Sequence, residues 1–514
     1  MNRPSFNVLT EPWIPVSRLD GTRDELGILP CLEQAHELRE IRDPAPIIEF
    51  GLYRLLVAFV LDALILANCR PEDPIDLKEL IKKRHFDGKL FDDYVKHCGD
   101  VFDLFHPERP FLQVALTANA NTELGPTDAL FAQIPSGSEA IHWHHSKEGH
   151  LSISATQAAL LLTAVSPFMK QGGRGYSPSI NGSSPLYATP MGDSLFKTLV
   201  LNLPLRPYGK LVPSAAWVQE TKPQGRKTPI SVADGFTWQP RQLTFVVKEG
   251  GPSVVSGLVF KPGFQVDGTS WIDPNLAYQW GDKGAEKVSM RRNRPLWRDA
   301  GALALLPVGE LGKGVNKVAM RRPDVVEQAF EVLDFQEPLC LRAYGLQAKQ
   351  ANVYEWISSE LCVPANLGKT TRLGVIVDSE LHLADSGARV LRSAILRLSP
   401  EFEREERKPP GKRKRWDKRS IRNLADRSER AYWQHLESRF YPLMNAFAQL
   451  DPDVAPNDRV LIATTARDWR EAILRFSLEQ FESSAKDMDA DADALERQVR
   501  ARSWLDIKLK GVLS

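Results

Sequence analysis

Glycine becomes rare near Thr370, and this change constrains the fold more than any other feature of the chain. From Leu373 onward, apolar residues recur at helical spacing, and proline-containing loops divide the pattern into four spans, 373–398, 419–449, 457–483 and 490–511. Four helices with short connections predict a bundle. We therefore expect an α+β fold, with a mixed N-terminal domain of short β-sheets and helices over residues 1–369 and a C-terminal four-helix bundle over residues 370–514.

The composition is that of a soluble globular protein. The 514 residues are 43% hydrophobic and 25% charged, which is ordinary for such proteins, and the length predicts two or three domains. The formal net charge is only +1. Any surface that binds nucleic acid must therefore be local rather than a property of the whole chain.

Several features indicate a cytoplasmic protein. The first ten residues lack the apolar core of a signal peptide, and the longest apolar segment, Ile47–Cys69, contains Glu49, Arg54 and Asp62. Those charges predict a buried helix rather than a membrane span. The five cysteines lie far apart without a CxxC pair, which indicates a reducing compartment and argues against a structural zinc site.

A glycine-rich loop follows an apolar, helix-like segment. It begins at Lys170, reads KQGGRGYSPSINGSSP, and places Gly172, Gly173 and Gly175 around Arg174. No GK[ST] follows, so the loop does not match a phosphate-binding NTPase loop. Glycine allows close backbone approach and positive φ, and the basic side chains suit an elongated anion such as nucleic acid. An ordinary surface loop is the alternative.

Short apolar runs bounded by glycine and proline predict β-structure over residues 237–290. Lys261 lies near the end of one run, GLVFKPGF. Pro262 and Gly263 predict a turn that presents the lysine at the tip of a strand. A solvated hairpin lysine is the alternative.

Two basic stretches could contact phosphates. The run MRRNRPLWR contains Arg291, Arg292 and Arg294, with Trp297 as a packing anchor. The second stretch, residues 412–419, lies in the first loop of the expected bundle. Either stretch could instead be a solvated face.

A histidine cluster offers the competing enzymatic hypothesis, a metal-dependent nuclease or hydrolase that uses His142, His144, His145 and His150. The HWHH spacing lacks the i, i+4 pairing and the carboxylate of a zinc hydrolase, so we expect a packed or solvated loop. The chain also lacks a nucleophile elbow, a Walker motif and a dinucleotide fingerprint. We therefore expect a binding protein without a metal or cofactor, rather than an enzyme.

The opening FNVLTEPWIPV, the run GGRGYSPSINGSSP followed by LFKTLVLNLP, and the helical C-terminal region together resemble the CasA family. CasA is the large subunit of Cascade, the type I-E CRISPR interference complex. The resemblance covers nearly the full chain in order and length. It implies a non-catalytic subunit of an RNA-guided surveillance complex that recognises the protospacer-adjacent motif in double-stranded DNA, promotes strand opening and R-loop formation, and helps to recruit the helicase-nuclease.

The resemblance also assigns the residues that read the adjacent motif. The family's glycine loop falls on Gly172, Gly173 and Gly175, and its lysine finger falls on Lys261. The minor groove distinguishes mainly A·T from G·C pairs, so a reader built from backbone glycines and one lysine should tolerate several related motifs.

Three further groups of residues follow from the resemblance. The loop near the guide handle falls on Phe131 and Gln133, and the strand-separating wedge falls on Ala365 and Asn366. Family members have a glutamine beside a glycine at the wedge, whereas this chain has PANLG. The residues expected along the DNA backbone are Arg174, Lys283, Lys287, Arg291, Arg292 and Arg294.

The expected partners are the guide RNA, double-stranded target DNA, the backbone, handle-binding and small subunits of Cascade, and the helicase-nuclease, with no membrane. A third hypothesis is a scaffold that binds only protein subunits. Absence of any nucleic-acid crosslink to residues 170–176 would favour the scaffold.

Overall fold

The computed structural model describes residues 4–115, 125, 127–130, 152–172, 175–220, 222–247, 254–268, 271–282, 284–291, 294–305, 310–312, 317–318, 320–334, 337–349, 352–406, 408, 419–452, 458–488 and 491–513. The chain forms two compact units. The first contains residues 1–292, 308–334 and 338–362, and the second contains residues 293–307, 335–337 and 363–514. The expected domain boundary after residue 369 stays a prediction, and residues 363–369 group with the second unit.

Short strands and many helices alternate along the described residues. The strands are β1 (Ile14–Arg18), β2 (Arg23–Leu26), β3 (Leu38–Ile41), β4 (Ile153–Ser154), β5 (Leu186–Met191), β6 (Gly225–Lys227), β7 (Arg241–Val247), β8 (Val254–Pro262), β9 (Phe264–Val266), β10 (Tyr278–Gly281), β11 (Gly284–Lys287), β12 (Glu310–Leu311), β13 (Lys317–Val318), β14 (Met320–Arg321), β15 (Leu339–Lys349) and β16 (Asn352–Val363). The helices are α1 (Ile28–Glu33), α2 (Pro46–Leu66), α3 (Pro74–Lys83), α4 (Gly88–Cys98), α5 (Ala155–Phe168), α6 (Leu195–Leu201), α7 (Val232–Phe236), α8 (Asp324–Val332), α9 (Ala365–Lys369), α10 (Thr371–Leu396), α11 (Pro400–Glu406), α12 (Arg419–Ala448), α13 (Arg459–Thr465), α14 (Arg467–Lys486) and α15 (Ala492–Leu513). The α+β prediction is confirmed.

The strands form several small sheets rather than one large sheet. Strand β8 lies between β4 and β7, and its antiparallel register with β7 places Pro262 opposite Arg241 and Lys261 opposite Gln242. Strand β9 pairs in parallel with β6, and β5 pairs antiparallel with β15. The predicted β-structure over residues 237–290 is confirmed, since β7 to β11 all lie in that range.

Helix α2 is the buried helix predicted from the long apolar segment. Every residue from Pro46 to Leu64 is buried, including Glu49, Arg54 and Asp62. The helix packs against α5 and α7. Its charged residues are bonded to several segments, since Arg54 donates to the Gly235 carbonyl in α7, Glu49 accepts from Arg342 and Tyr344 in β15, and Asp62 accepts from Tyr94 in α4. Among the described residues, no helix has both the length and the apolar character that crossing a membrane requires.

A buried ion pair holds α2 to the chain that precedes β10. Arg54 Nη1 donates to Asp273 Oδ2 at 2.7 Å, and the two side chains are 2% and 0% exposed. Asn181 Nδ2 donates to the same carboxylate oxygen at 2.6 Å and to the hydroxyl of Tyr187 at 3.0 Å. The Tyr187 hydroxyl in turn donates to the carbonyl of Pro167 at 3.1 Å, near the end of α5. One polar network therefore joins three segments that are distant in the sequence.

Four long C-terminal helices occur close to their predicted positions. Helix α10 packs against α12, α14 and α15, as their apolar periodicity requires. The prediction of one helix over 457–483 is wrong, because the chain breaks between α13 and α14. The hydroxyls of Thr464 and Thr465 donate to the carbonyls of Val460 and Leu461, both at 2.8 Å. Such local bonds compete with the backbone ladder at the end of a helix.

One disulfide departs from what the scattered cysteines indicated, a reducing compartment. Cys340 in β15 and Cys362 in β16 form a disulfide, with Cα atoms 4.1 Å apart. Their strands are neighbours in one sheet, so the two cysteines meet although they are 22 positions apart in the sequence. A pair with this separation does not form a CxxC motif. Cys31, Cys69 and Cys98 are free thiols. The spacing of the cysteines therefore does not indicate the redox compartment.

Asp62 is a buried carboxyl that forms no ion pair with any described residue. Its Oδ2 accepts hydrogen bonds from the amides of Ser214 and Ala215, both at 2.8 Å, and from the Tyr94 hydroxyl at 3.2 Å. Its Oδ1 has no hydrogen-bond partner among the described residues. Burial raises the pKa of Asp62 to about 7, more than the two backbone amides lower it.

The raised pKa predicts that Asp62 makes stability depend on pH. The folded protein binds the Asp62 proton more tightly than the unfolded chain, so this contribution to the free energy of unfolding is present at acidic pH and is lost as pH rises toward 7. Asp62→Asn keeps an acceptor for the two amides but does not titrate. As pH rises from roughly 4 to 7, the free energy of unfolding of the wild type should fall relative to that of this variant. The fall should be up to about 1.4 kcal/mol for each pKa unit by which folding shifts Asp62. Urea titrations of both proteins across that range measure the difference, and parallel pH profiles would contradict the prediction.

Candidate nucleic-acid interface

The glycine-rich loop is closed by backbone hydrogen bonds at its base. Helix α5 begins with a capping box, in which Ser154 and Gln157 bond to each other's backbone amides, and the helix ends at Phe168. The amide of Ser179 donates to the carbonyl of Met169 at 2.7 Å, and the amide of Gly172 donates to the carbonyl of Tyr176 at 3.2 Å. The loop therefore leaves α5 and returns to the same place within about ten residues.

Gly172 and Gly175 are required for different reasons. A Cβ atom at residue 172 would lie 2.6 Å from the Cβ of Tyr176, which is closer than side chains approach in folded proteins. Gly175 has space around it, but its φ is +88°, in the left-handed region that only glycine adopts at little cost. Both glycines are therefore needed for the conformation of the loop itself, whether or not a ligand binds.

The loop packs against the end of β8 that carries Lys261. The ring of Tyr176 stacks on the ring of Phe260 with centroids 5.8 Å apart, and the Tyr176 hydroxyl donates to the carbonyl of Phe260 at 3.3 Å. A Cβ atom on Gly175 would lie 3.9 Å from Cγ of Pro262. Lys261 lies between these two contact residues of β8 and is exposed. The structure thus packs the glycine loop against the end of the strand that carries Lys261 in the first unit.

The sequence prediction of a turn after Lys261 is wrong in its detail. Strand β8 continues through Pro262, and the chain enters β9 after the single residue Gly263. A Cβ atom on Gly263 would lie 2.4 Å from the amide nitrogen of Arg241, so this glycine permits close backbone packing instead of a hairpin. Lys261 is nevertheless presented at the exposed end of a strand.

Arg241, the first residue of β7, lies beneath the loop. Its guanidinium donates to the carbonyls of Lys170 at 2.8 Å and of Ser177, one on each side of the glycines. Gln265 in β9 adds a contact from the solvent side, since its side-chain amide donates to the carbonyl of Gly175 at 3.4 Å.

Lys287 lies under the far end of the same segment. Its side chain is half-buried, and its ammonium group donates to the carbonyl of Ile180 at 3.3 Å. Burial lowers the pKa of Lys287 to about 8. Its expected contact with the DNA backbone stays a prediction.

Arg291 and Arg294 of the MRRNRPLWR run have different surroundings. Arg291 is exposed and belongs to the first unit. Arg294 belongs to the second unit, where its guanidinium lies 2.8 Å from Asp299 and 3.6 Å from Asp385. A contact between Arg294 and a phosphate would therefore require these ion pairs to open.

The expected wedge residues form the start of α9 in the second unit. Ala365 is 3% exposed, and Asn366 is half-buried with its side-chain amide donating to the carbonyl of Ala448 at the end of α12. That bond satisfies a carbonyl that the helix itself leaves without a partner. Asn366 would have to release it in order to insert between base pairs.

Several predicted residues lie outside the described part of the chain. They are Gly173, Arg174, Lys283, Arg292, Phe131 and Gln133, the histidines His142, His144, His145 and His150, and the basic residues 412–418. In the part that is described, no group of three or more His, Cys, Asp or Glu side chains is arranged to hold a metal ion.

Comparison with known proteins shows the family of the chain. The family model of the CRISPR-associated protein Cse1 matches residues 7–480. The chain belongs to the CRISPR-associated Cse1 family. This finding confirms the CasA resemblance, and a CasA/Cse1 protein of Thermus thermophilus is 27% identical over 507 residues, covering 94% of this chain and 92% of that protein.

Solved structures share the fold of this Cse1-family chain over almost its whole length. Thermobifida fusca Cse1 has a TM-score of 0.77 at 21% identity, covering 99% of this chain and 98% of that one. A chain of a CRISPR RNA-guided surveillance complex has a TM-score of 0.75 at 20% identity, covering 98% of this chain and 99% of that one.

Three residues of the interface were missed by sequence reasoning, namely Tyr176, Arg241 and Gln265. Tyr176 follows the glycines directly, so its aromatic ring in a polar loop was the one available signal. Arg241 is the first residue of β7 and Gln265 is the middle residue of β9, and both are more than 60 positions from the loop segments they contact. Their roles depend on packing and leave no local pattern.

Gly175→Ala should disturb this loop selectively in the Cse1-family chain. The left-handed conformation predicts a loss of roughly 1–2 kcal/mol in the free energy of unfolding, together with faster hydrogen exchange at the amides of Gly172 and Ser179. Gly21→Ala is the matched control, because Gly21 has a φ of +87° with no atom within 4 Å of the added Cβ. The control should lose similar stability without changing exchange in residues 172–179. Unchanged exchange in Gly175→Ala would show that φ at this residue does not set the shape of the loop.

Proposed function

We propose that this Cse1-family chain is a non-catalytic subunit of an RNA-guided CRISPR surveillance complex, in which its glycine loop and Lys261 read the protospacer-adjacent motif of double-stranded DNA. The complex would include the guide RNA and the backbone, handle-binding and small subunits of Cascade. Sequence specificity over the rest of the target would come from pairing with the guide.

One observation carries the proposal, namely the packing of the glycine loop against the strand end that bears Lys261. Tyr176 stacks on Phe260, and Lys261 follows Phe260 directly in β8. A loop with small residues can approach the floor of the minor groove, and an exposed ammonium beside it can donate to the base acceptors there.

The charges around the loop agree with an anionic partner. The ammonium of Lys261 is exposed, while Arg241 and Lys287 donate to carbonyls of the segment 170–180. The chain as a whole carries a formal charge of only +1, so this concentration of cations is local. Local positive charge attracts the phosphate backbone irrespective of base sequence.

Later steps of the proposed function would involve the second unit. We infer that Asn366 and Ala365 separate the first base pairs and so promote R-loop formation. Inserting a side chain between stacked bases costs a few kcal/mol, which contacts with the opened strands offset. We also infer that α10, α12, α14 and α15 act as a four-helix bundle and that the subunit helps to recruit the helicase-nuclease.

Lys261→Ala should weaken motif reading more than it weakens general binding. In a reconstituted complex, we expect about a tenfold loss of affinity for a duplex target with the adjacent motif, equivalent to about 1.4 kcal/mol. Binding to a target with a pre-opened bubble should change by less than about twofold, because guide pairing supplies that affinity. Gel-shift titrations of the two targets measure the ratio.

Lys89→Ala is the matched control for Lys261→Ala, because Lys89 is an exposed lysine on α4 of the same unit. It should leave the affinity for both targets unchanged. Equal losses on duplex and bubble targets with Lys261→Ala would argue against motif reading by this lysine.

Asn366→Ala should slow strand opening and leave the first capture of the duplex intact. The alanine has no amide to replace the stacking and hydrogen bonds of the first base pair, so we expect the opening rate to fall about tenfold. A fluorescent base analogue beside the adjacent motif reports opening, and gel shifts at short times report capture.

Asn366→Gln separates the wedge role from the bond to Ala448. Glutamine keeps the amide and extends its reach, so opening should be at least as fast as in the wild type. An opening rate unaffected by Asn366→Ala would remove this residue from the wedge.

A further inference from the structure

Arg241 is a buried cation directly beneath the glycine loop. Its side chain is 2% exposed, and its position at the start of β7, opposite Pro262, fixes it next to the strand end that carries Lys261. Neither the composition nor the motifs of the chain indicate a role for it.

The guanidinium of Arg241 joins the two sides of the loop. Nη2 donates to the carbonyl of Lys170 at 2.8 Å, before the glycines, and Nη1 donates to the carbonyl of Ser177, after them. Nη1 also donates to the carbonyl of Pro240 at 2.8 Å, which fixes the guanidinium to its own strand. Planar geometry with several donors lets one side chain make all three bonds, and a single ammonium group cannot match that spread.

The same guanidinium also lies against the aromatic stack that joins the loop to β8. It is 5.2 Å from the ring centroid of Tyr176 and 5.3 Å from that of Phe260. Contacts at this distance from ring faces are favourable for a cation, more so when water is excluded. Arg241 therefore contacts both sides of the loop and both rings of the stack that joins the loop to β8.

Among the described residues, no ion pair joins the Arg241 guanidinium to a carboxylate. Its positive charge is instead stabilised by the dipoles of backbone carbonyls and by the faces of two aromatic rings. Burial lowers the pKa of Arg241 to about 10, so the group is charged at neutral pH. A buried charge is costly without partners, so the loop carbonyls are held firmly in the positions that satisfy it.

We propose that Arg241 is the positioning residue that holds the glycine loop in the shape with which it meets DNA. It acts through the carbonyls of Lys170 and Ser177 and the ring of Tyr176, without contact with the nucleic acid. This inference rests on the proposed motif-reading function of the loop and Lys261.

The test compares Arg241→Lys and Arg241→Gln in the reconstituted complex, at a temperature where each variant is folded. Lysine keeps the charge but cannot bond to both sides of the loop, and glutamine loses the charge. We expect both variants to lose about tenfold in affinity for the motif-bearing duplex, with binding to the bubble target within about twofold of wild type. Hydrogen exchange at the amides of Gly172 and Ser179 should be faster in both.

Arg342→Lys is the matched control. Arg342 is another buried arginine of the first unit, and it pairs with Glu40, Glu49 and Glu360. This variant should lower stability without changing the ratio of duplex to bubble affinity. A purely structural role for Arg241 would give the same result as this control and would overturn the proposal.

Other outcomes are also decisive. Wild-type duplex binding by Arg241→Lys, with a loss in Arg241→Gln, would show that charge alone matters and would overturn the positioning role. If Arg241→Gln does not fold, Arg241→Lys alone decides. If Lys261→Ala has no effect in the same titrations, the proposed function fails, and hydrogen exchange of residues 172–179 still decides whether Arg241 sets the loop.

Discussion

The ion pair between Arg54 and Asp273 is the interaction on which the first unit depends. Both side chains are almost completely buried, so the loss of either would leave an uncompensated charge and cost about 3–5 kcal/mol. Through Asn181 and Tyr187, the same network reaches the carbonyl of Pro167. The two ends of the glycine-rich segment are thus anchored in one rigid, polar core.

This anchoring explains how a glycine-rich loop can have a defined shape. Glycine lowers the cost of unusual φ values but also increases the freedom that folding must remove. Here the polar network holds the ends of the segment, Arg241 joins its two sides, and Tyr176 packs against β8. A loop restrained in this way loses little entropy when it binds, which favours affinity.

The cations of the interface differ in what they can do. Lys261 is exposed and available to a ligand, whereas Arg241 donates to carbonyls inside the protein and Arg294 is paired with carboxylates. Counting basic residues along the chain treats them alike. The hydrogen-bond and ion-pair partners of each cation decide its role. A cation without such partners can contact phosphate, whereas a cation bonded within the protein shapes or stabilises the fold.

Much of the fold follows from local sequence. The uninterrupted apolar run predicted the buried helix α2, the loss of glycine after Thr370 predicted the long C-terminal helices, and short runs bounded by glycine and proline predicted β7 to β9. The opening motif, the glycine run with LFKTLVLNLP after it, and the helical C-terminal region together were enough to recognise the Cse1 family. These features are local because helical and strand periodicity depend on residues a few positions apart.

The tertiary structure alone decided which of these elements meet. It paired Cys340 with Cys362, divided the predicted helix 457–483, replaced the turn at Gly263 with close packing, and placed Arg241 under residues more than 60 positions away. Such contacts are set by the burial of side chains from separate segments in one core, and no single stretch of sequence contains both partners. The amino-acid sequence therefore determined the local elements and the family of this protein, while only packing determined that the glycine loop lies against the end of the strand that carries Lys261.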